Sequence, residues 1–274
     1  MPYIIAEDGA QIFYKDWGTG GSPVLLSHGW PLNADAWEAA ALFLAHHGHR
    51  AIAHDRRGHG RSSQTWHGNE MDTYADDLAT LIDSLDLFDL TLVGHSTGGG
   101  EIVHYVGRYG SSRVAKLVLV SAVPLMMLQT DDNPDRLSIS VFDGIRAGEL
   151  ADRSQQYRNL ADGPFYGHNR RQDVSQGVRD AFWLQSMACG LRAAYDSVAA
   201  ISATDFGPDL DRIDVPTLII HGDDDQIVPF EVGGKRSAEL INGAALKVYE
   251  GSGHGLPDTD RERLHADLLE FIDS

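Results

Sequence analysis

The sequence predicts an α/β protein with a mostly parallel central sheet flanked by helices. Three observations predict it. Apolar runs such as Val118–Ser121 lack the alternation of a half-exposed strand, so both faces of the sheet are covered. Helix-period segments separate these runs. The strand–helix alternation occurs in the first and last thirds of the chain, the signature of crossover units rather than of hairpins.

Taken in order, Gln11–Trp17 alternates around Ile12, Tyr14 and Asp16 and reads as a strand. The Gly-rich turn Gly18–Gly21 leads into the apolar strand Val24–Ser27. Ala34–His47 reads as a helix and Arg50–His54 as a short strand. Within Asp72–Leu85, the residues Tyr74, Leu78, Leu81, Ile82 and Leu85 fall on one helical face. The strand Leu90–Gly94, a helix over Thr97–Tyr109 and the strand Ala115–Ser121 follow. From Pro124 to Thr204 there are helical stretches and turns but no convincing strand, with apolar bulk from Met126, Met127, Phe142, Phe165, Tyr166 and Trp183. The sheet pattern resumes with Val215–His221, a helix over Val232–Ile241, the strand Ala245–Tyr249 and a closing helix over Pro257–Ile272. The expected organisation is therefore a core of residues 1–123 and 205–274, interrupted by a helical lid over 124–204.

Bulk properties narrow the function. A chain of 274 residues, 42% hydrophobic and 23% charged, builds a large core without staples. Cys189 is the single cysteine, so no internal disulfide forms. Neither a secretory leader nor a run of membrane-spanning length is visible, so a cytoplasmic location is expected. A net charge of −18 argues against nucleic acid and large polyanions, while leaving small neutral or singly charged substrates open.

Chemistry concentrates at strand ends. Gly94-His95-Ser96-Thr97-Gly98 is a G-x-S-x-G motif, which three fixed positions alone produce in about one protein in ten. Its setting, an apolar strand before and a helix after, is that of a strained turn that lifts the serine hydroxyl above the sheet. A phosphate-binding loop would need a lysine that Gly94–Gly100 lacks. A serine hydroxyl needs a base. His254, in the loop GSGHGLP, fits that place, whereas His265 reads as a solvated helix residue. The acid belongs in IIHGDDDQIVP, where spacing alone leaves Asp223, Asp224 and Asp225 open. His221 reads as a strand-end residue bonded to backbone. His46, His47 and His49 read as helix-end surface residues, and Asp131, Asp132 and Asp135 lack the glycine and closing glutamate of a calcium loop. No metal site or cofactor is expected.

Five motifs then carry a family resemblance: SHGWP from Ser27 to Pro31, HDRRGHGRS from His54 to Ser62, GHSTGGG from Gly94 to Gly100, HGDDDQIVP from His221 to Pro229, and Gly253-His254. Together they resemble the cofactor-free bacterial haloperoxidases and related arylesterases of the α/β-hydrolase superfamily. The resemblance spans nearly the whole chain and is weakest in the lid. It implies an α/β-hydrolase fold with the cap inserted after the sixth strand. It also implies a Ser96–Asp225–His254 triad, with an oxyanion hole from the N–H groups of Trp30 and Thr97. Val123, Phe142 and Ile227 become expected pocket-wall residues. The arginines of Asp55–Ser62 are expected to pair with carboxylates rather than bind phosphate.

The reaction so implied is hydrolysis of small to medium carboxylic esters through an acyl-serine. Hydrogen peroxide in place of water gives a peracid, and in the family that peracid oxidises halide without haem or metal. The resemblance associates Pro31 with the perhydrolase members, through the direction it imposes on the Trp30 carbonyl. It also suggests a homo-oligomer, with no nucleic-acid or membrane partner. Lactone, amide or carbon–carbon hydrolysis on the same fold is the alternative, and a non-catalytic binding protein is the reading from another class.

Overall fold

The computed structural model describes residues 2–123, 125–131, 133–170 and 174–274. Pro124, the expected first lid residue, and Asp132 of the acidic cluster lie outside the described residues.

Among the described residues there are eight strands, β1 (Tyr3–Ile5), β2 (Gln11–Trp17), β3 (Pro23–Ser27), β4 (Arg50–His54), β5 (Leu90–His95), β6 (Val114–Val120), β7 (Thr217–Gly222) and β8 (Ala245–Tyr249). They form one sheet in the order β1-β2-β4-β3-β5-β6-β7-β8. The β1/β2 and β2/β4 pairs are antiparallel and the others parallel. β5 and β7, within the parallel set, are buried at every residue, and β3 at all but its first. That burial explains their unbroken apolar runs: each face meets a helical layer, so no position is left for a solvated side chain.

A 3-10 turn (Ala34–Trp37) precedes α1 (Glu38–His46). Asn33 opens the turn, its side chain accepting from the Asp35 N–H at 2.9 Å. With α1, the closing helices α9 (Leu256–Thr259) and α10 (Arg261–Asp273) cover one face of the sheet. Trp37, Leu44, Leu264 and Leu268 pack there against Val24, Val93 and Val118. The other face carries α2 (Met71–Ser84) and α3 (Thr97–Tyr109), where Tyr74, Leu78, Ile102 and Val106 meet Leu25, Leu92 and Leu117. Each of these apolar side chains contributes about 1.5–3 kcal/mol when fully buried.

Between β6 and β7 lie α4 (Ile139–Ala161), α5 (Gln176–Ala188), α6 (Leu191–Ala203) and the short α7 (Gly207–Leu210). α4 breaks at Asp152, which leaves helical geometry (φ −159°, ψ 80°) and accepts from the Gln155 N–H at 2.9 Å, recapping the second half. Tyr157, Phe165, Tyr166 and Phe182 make a separate apolar cluster that reaches Leu32 of the core. The remaining helix, α8 (Gly234–Leu240), joins β7 to β8. No helix of the described residues is long and apolar enough to cross a membrane.

Three details correct the sequence reading. β1 was not expected; three residues are too few to carry a period. His265 is not solvated: its ring stacks on Phe43 at 4.8 Å and is largely buried. His49 is likewise buried, 3.1 Å from Asp273, while His46 and His47 are exposed as expected.

Candidate active site

The parallel register brings Ser27, Gly94 and His95, Val120, and His221 and Gly222 to one edge of the sheet, at the carboxyl ends of β3, β5, β6 and β7. Open α/β sheets place their ligands at this edge. Ser96 follows β5 directly and has φ +52° and ψ −118°, a conformation rarely adopted by a side-chain-bearing residue. The turn is held by Ser96 N–H donating to Val120 O at 3.0 Å, while Ser96 O accepts from Gly99 and Val123 at 2.9 and 3.0 Å. It also needs its glycines. A Cβ on Gly94 would stand 2.4 Å from Gly98 O, and one on Gly98 would stand 2.3 Å from Ser27 O.

The aspartate run resolves by direction. Asp223 accepts from the Gly251 N–H at 2.6 Å, and Asp224 pairs with Arg170. Asp225 alone turns inward. Its Oδ1 accepts from the N–H groups of Ile227 and Val228 at 2.9 and 2.8 Å, and its Oδ2 lies 2.8 Å from His254 Nδ1. His221 Nε2 stands 3.3 Å from the same Oδ2 while donating to Val228 O at 2.9 Å. The strand-end reading of His221 therefore holds, and the residue also borders the carboxylate. Burial pushes the Asp225 carboxyl up, but His254 and His221 outweigh it and hold it well below the usual carboxylate range.

His254 is buried, with Phe165 edge-on at 5.2 Å and its carbonyl accepting from His95 Nε2 at 3.0 Å. Burial, then the neighbouring His254, lower the His95 pKa to about 3, so His95 stays neutral. Ser96 and His254 face one cavity of about 590 Å³ with Trp30, Thr97, Val123, Phe142 and Ile227. All eight residues singled out in the sequence thus meet here, seven on the cavity wall and Asp225 behind His254. Thr97 begins α3, so its N–H has no acceptor within the helix. A larger groove of about 750 Å³, bounded by Trp37, Phe182 and Arg261, reaches none of these eight. Among the described residues no group of three or more His, Cys, Asp and Glu is arranged for a metal ion.

A buried ionic cluster beneath the Trp30 loop escaped the sequence reading. Glu101 on α3 accepts from Arg56 Nε and Nη2 at 3.1 and 2.7 Å, from His54 Nε2 at 3.2 Å, and from the Ser27 hydroxyl. Arg56 Nη2 also donates to His28 O at 2.8 Å, and the Arg56 N–H donates to His28 Nε2 at 3.0 Å. His28 Nε2 is therefore an acceptor, and the proton sits on Nδ1, which donates to Gly29 O at 2.9 Å. Burial, then Arg56, lower the pKa of His28 far below its ordinary value and keep that neutral tautomer. Arg57 pairs with Asp77 and Arg61 with Asp55, both at 2.8 Å, so this loop is structural, as expected.

A family model described as alpha/beta hydrolase fold matches residues 22–260. Over 275 residues and the full length of both chains, the sequence is 52% identical to a non-heme haloperoxidase of Rhodococcus erythropolis. It is 50% identical, again over full lengths, to a bifunctional esterase/perhydrolase of Acinetobacter calcoaceticus. Its backbone matches the crystal structure of a bromoperoxidase from Bacillus anthracis with a TM-score of 0.94 and 37% identity, covering all of both chains.

Proposed function

Since the chain belongs to the α/β-hydrolase family, alongside non-heme haloperoxidases and esterases, we propose that it is a serine esterase with perhydrolase activity whose triad is Ser96, His254 and Asp225. The observation that carries this reading is the 2.8 Å bond between His254 Nδ1 and Asp225 Oδ2, behind an imidazole that shares a cavity with Ser96.

The chemistry follows from those positions. His254 Nδ1 donates to Asp225, so Nε2 carries the lone pair that takes the Ser96 proton as Oγ attacks the ester carbonyl. Trp30 and Thr97 supply backbone N–H donors to the developing oxyanion, each contributing about 3–4 kcal/mol to transition-state stabilisation. The C–O bond to the alcohol breaks, and His254 passes its proton to the departing oxygen. Water, deprotonated by His254, then attacks the acyl-serine; the carboxylic acid leaves and Ser96 regains its proton. With hydrogen peroxide in place of water, the same step releases a peracid.

The helices between β6 and β7 act as a cap, supported by Phe142, Leu160 and Phe165 on the cavity wall. A cavity of this size favours small to medium esters, whose bodies Val123, Phe142 and Ile227 would contact. The chain works in the cytoplasm, a reading supported by its lone, buried Cys189, and assembles as a homo-oligomer, which light scattering tests.

The deciding experiment is labelling by a fluorophosphonate in wild type and Ser96→Ala. Labelling of the wild type alone is expected. A wild type that resists the reagent refutes the triad.

A further inference from the structure

Beside the catalytic cavity lies a second cleft of about 260 Å³, and Val123, Met127, Leu137, Val228 and Pro229 line both. Its wall is apolar except for Arg136 and the exposed Asp135. Elsewhere in this acidic chain, cations such as Arg50, Arg108 and Arg113 sit on aspartates. Arg136, like Arg153 and Arg212, does not: its Nη1 donates to Val232 O at 3.0 Å, among the described residues no carboxylate lies within ion-pair distance, and it lines the cleft. The nearby Arg236 is already taken by Glu239 at 2.8 Å.

A half-buried guanidinium on an apolar wall is costly unless an anion meets it, and a planar fork matches a carboxylate with two parallel bonds. Burial, followed by the charge of Arg236, makes this cation harder to keep, with only Asp135 opposing. We propose that the cleft is a subsite for an anionic arm of the ester, with Arg136 binding a carboxylate carried by the substrate. The apolar wall shared with the main cavity takes the methylene chain between that carboxylate and the scissile ester. The substrate class is thus the monoesters of dicarboxylic acids, or acyl esters of hydroxy acids. A single substrate charge is compatible with the net −18, because the long-range repulsion is screened while the local contact is not.

This assignment rests on the esterase reading above, and its test separates the two. Wild type, Arg136→Gln and Arg136→Lys would be assayed on monomethyl esters of linear dicarboxylic acids against the matching dimethyl esters. Acetyl esters of ω-hydroxy acids, against their methyl esters, would test the other arm. In wild type, kcat/KM for the anionic ester should exceed that of its neutral match by about tenfold at one chain length, the order of one charge-assisted bond. Arg136→Gln should reverse that ratio and Arg136→Lys retain part of it. The ratio does not depend on how much of a variant folds. Preference for the neutral ester by wild type at every length, or equal ratios in wild type and Arg136→Gln, overturns the subsite. Loss of turnover on every ester together with failed fluorophosphonate labelling instead overturns the esterase reading.

Discussion

Replacing Glu101 with Gln tests whether the buried ionic cluster holds the Trp30 loop. Glu101 and Arg56 are almost wholly buried, at 0% and 1% exposure, and their shortest contact is 2.7 Å. Removing one charge strands the other away from water, which costs about 3–5 kcal/mol. That is a fifth or more of the roughly 5–15 kcal/mol that holds a typical domain together. Arg56→Met should cost a similar amount. The double variant has no stranded charge and should lose no more than either single. The coupling energy would then be about 3 kcal/mol or more. Urea midpoints followed by tryptophan fluorescence give all four corners of the cycle. Additive losses would refute the reasoning.

The same cluster predicts a pH dependence. Burial pushes the Glu101 carboxyl up, but Arg56 and His54 outweigh it and hold it at about 2. A depressed folded pKa adds stability above the unfolded value, and that stability is lost as pH falls from about 4.5 to 2. Wild type should therefore lose more stability over this window than Glu101→Gln. Arg56 also grips His28 O, so Glu101→Gln should lower kcat more than it raises KM. A change confined to KM would remove the link to the Trp30 loop and its proposed oxyanion donor.

Three further outcomes are expected. Asp225→Asn should cut kcat by about 10⁴-fold by favouring the wrong His254 tautomer, measured on an aryl acetate. Pro31→Leu should lower the ratio of perhydrolysis to hydrolysis, read as peracid against acid released from one ester. Burial lowers the His104 pKa, but hydrogen bonds to Asp209 and Asp72, each 2.7 Å, outweigh this and leave it raised. A raised value stabilises the fold below the unfolded pKa, and that contribution fades as pH rises through the folded one. Melting temperatures of wild type should thus fall more between pH 6 and 9 than those of His104→Gln.

Ser96 and His254, the proposed nucleophile and base, were legible as candidates because each sits in a loop that the chain punctuates: Gly94 and Gly98 around Ser96, Gly253 and Gly255 around His254. Adjacent carboxylates were not separable by spacing, since Asp223, Asp224 and Asp225 differ only in the direction the turn gives each. The partners that distinguish them, Gly251, Arg170 and His254, are 28, 54 and 29 residues distant. Glu101 left one trace, a charge early in a helix that is otherwise apolar on its sheet-facing side. Its partner Arg56 is 45 positions away, in a run of basic residues that gives no hint which one turns inward. His265 looked solvated because its neighbours Arg263 and Asp267 are charged; the packing of Phe43 across the helix pair decides otherwise. The expected closing helix is split at Asp260 into α9 and α10, a boundary that no glycine or inner proline announces.

Part of the cavity wall comes from a stretch of chain separate from the one that carries its chemistry. Ser96, Asp225 and His254 stand on turns pinned to the sheet, whereas Val141, Phe142, Ile145, Leu160 and Phe165 come from α4 and the turn after it. Substrate scope and turnover can therefore drift independently. A mutant library at Val141, Phe142, Ile145 and Leu160 samples new ester shapes while leaving Phe165, which packs on His254, in place, and neutral variation in nature has the same freedom.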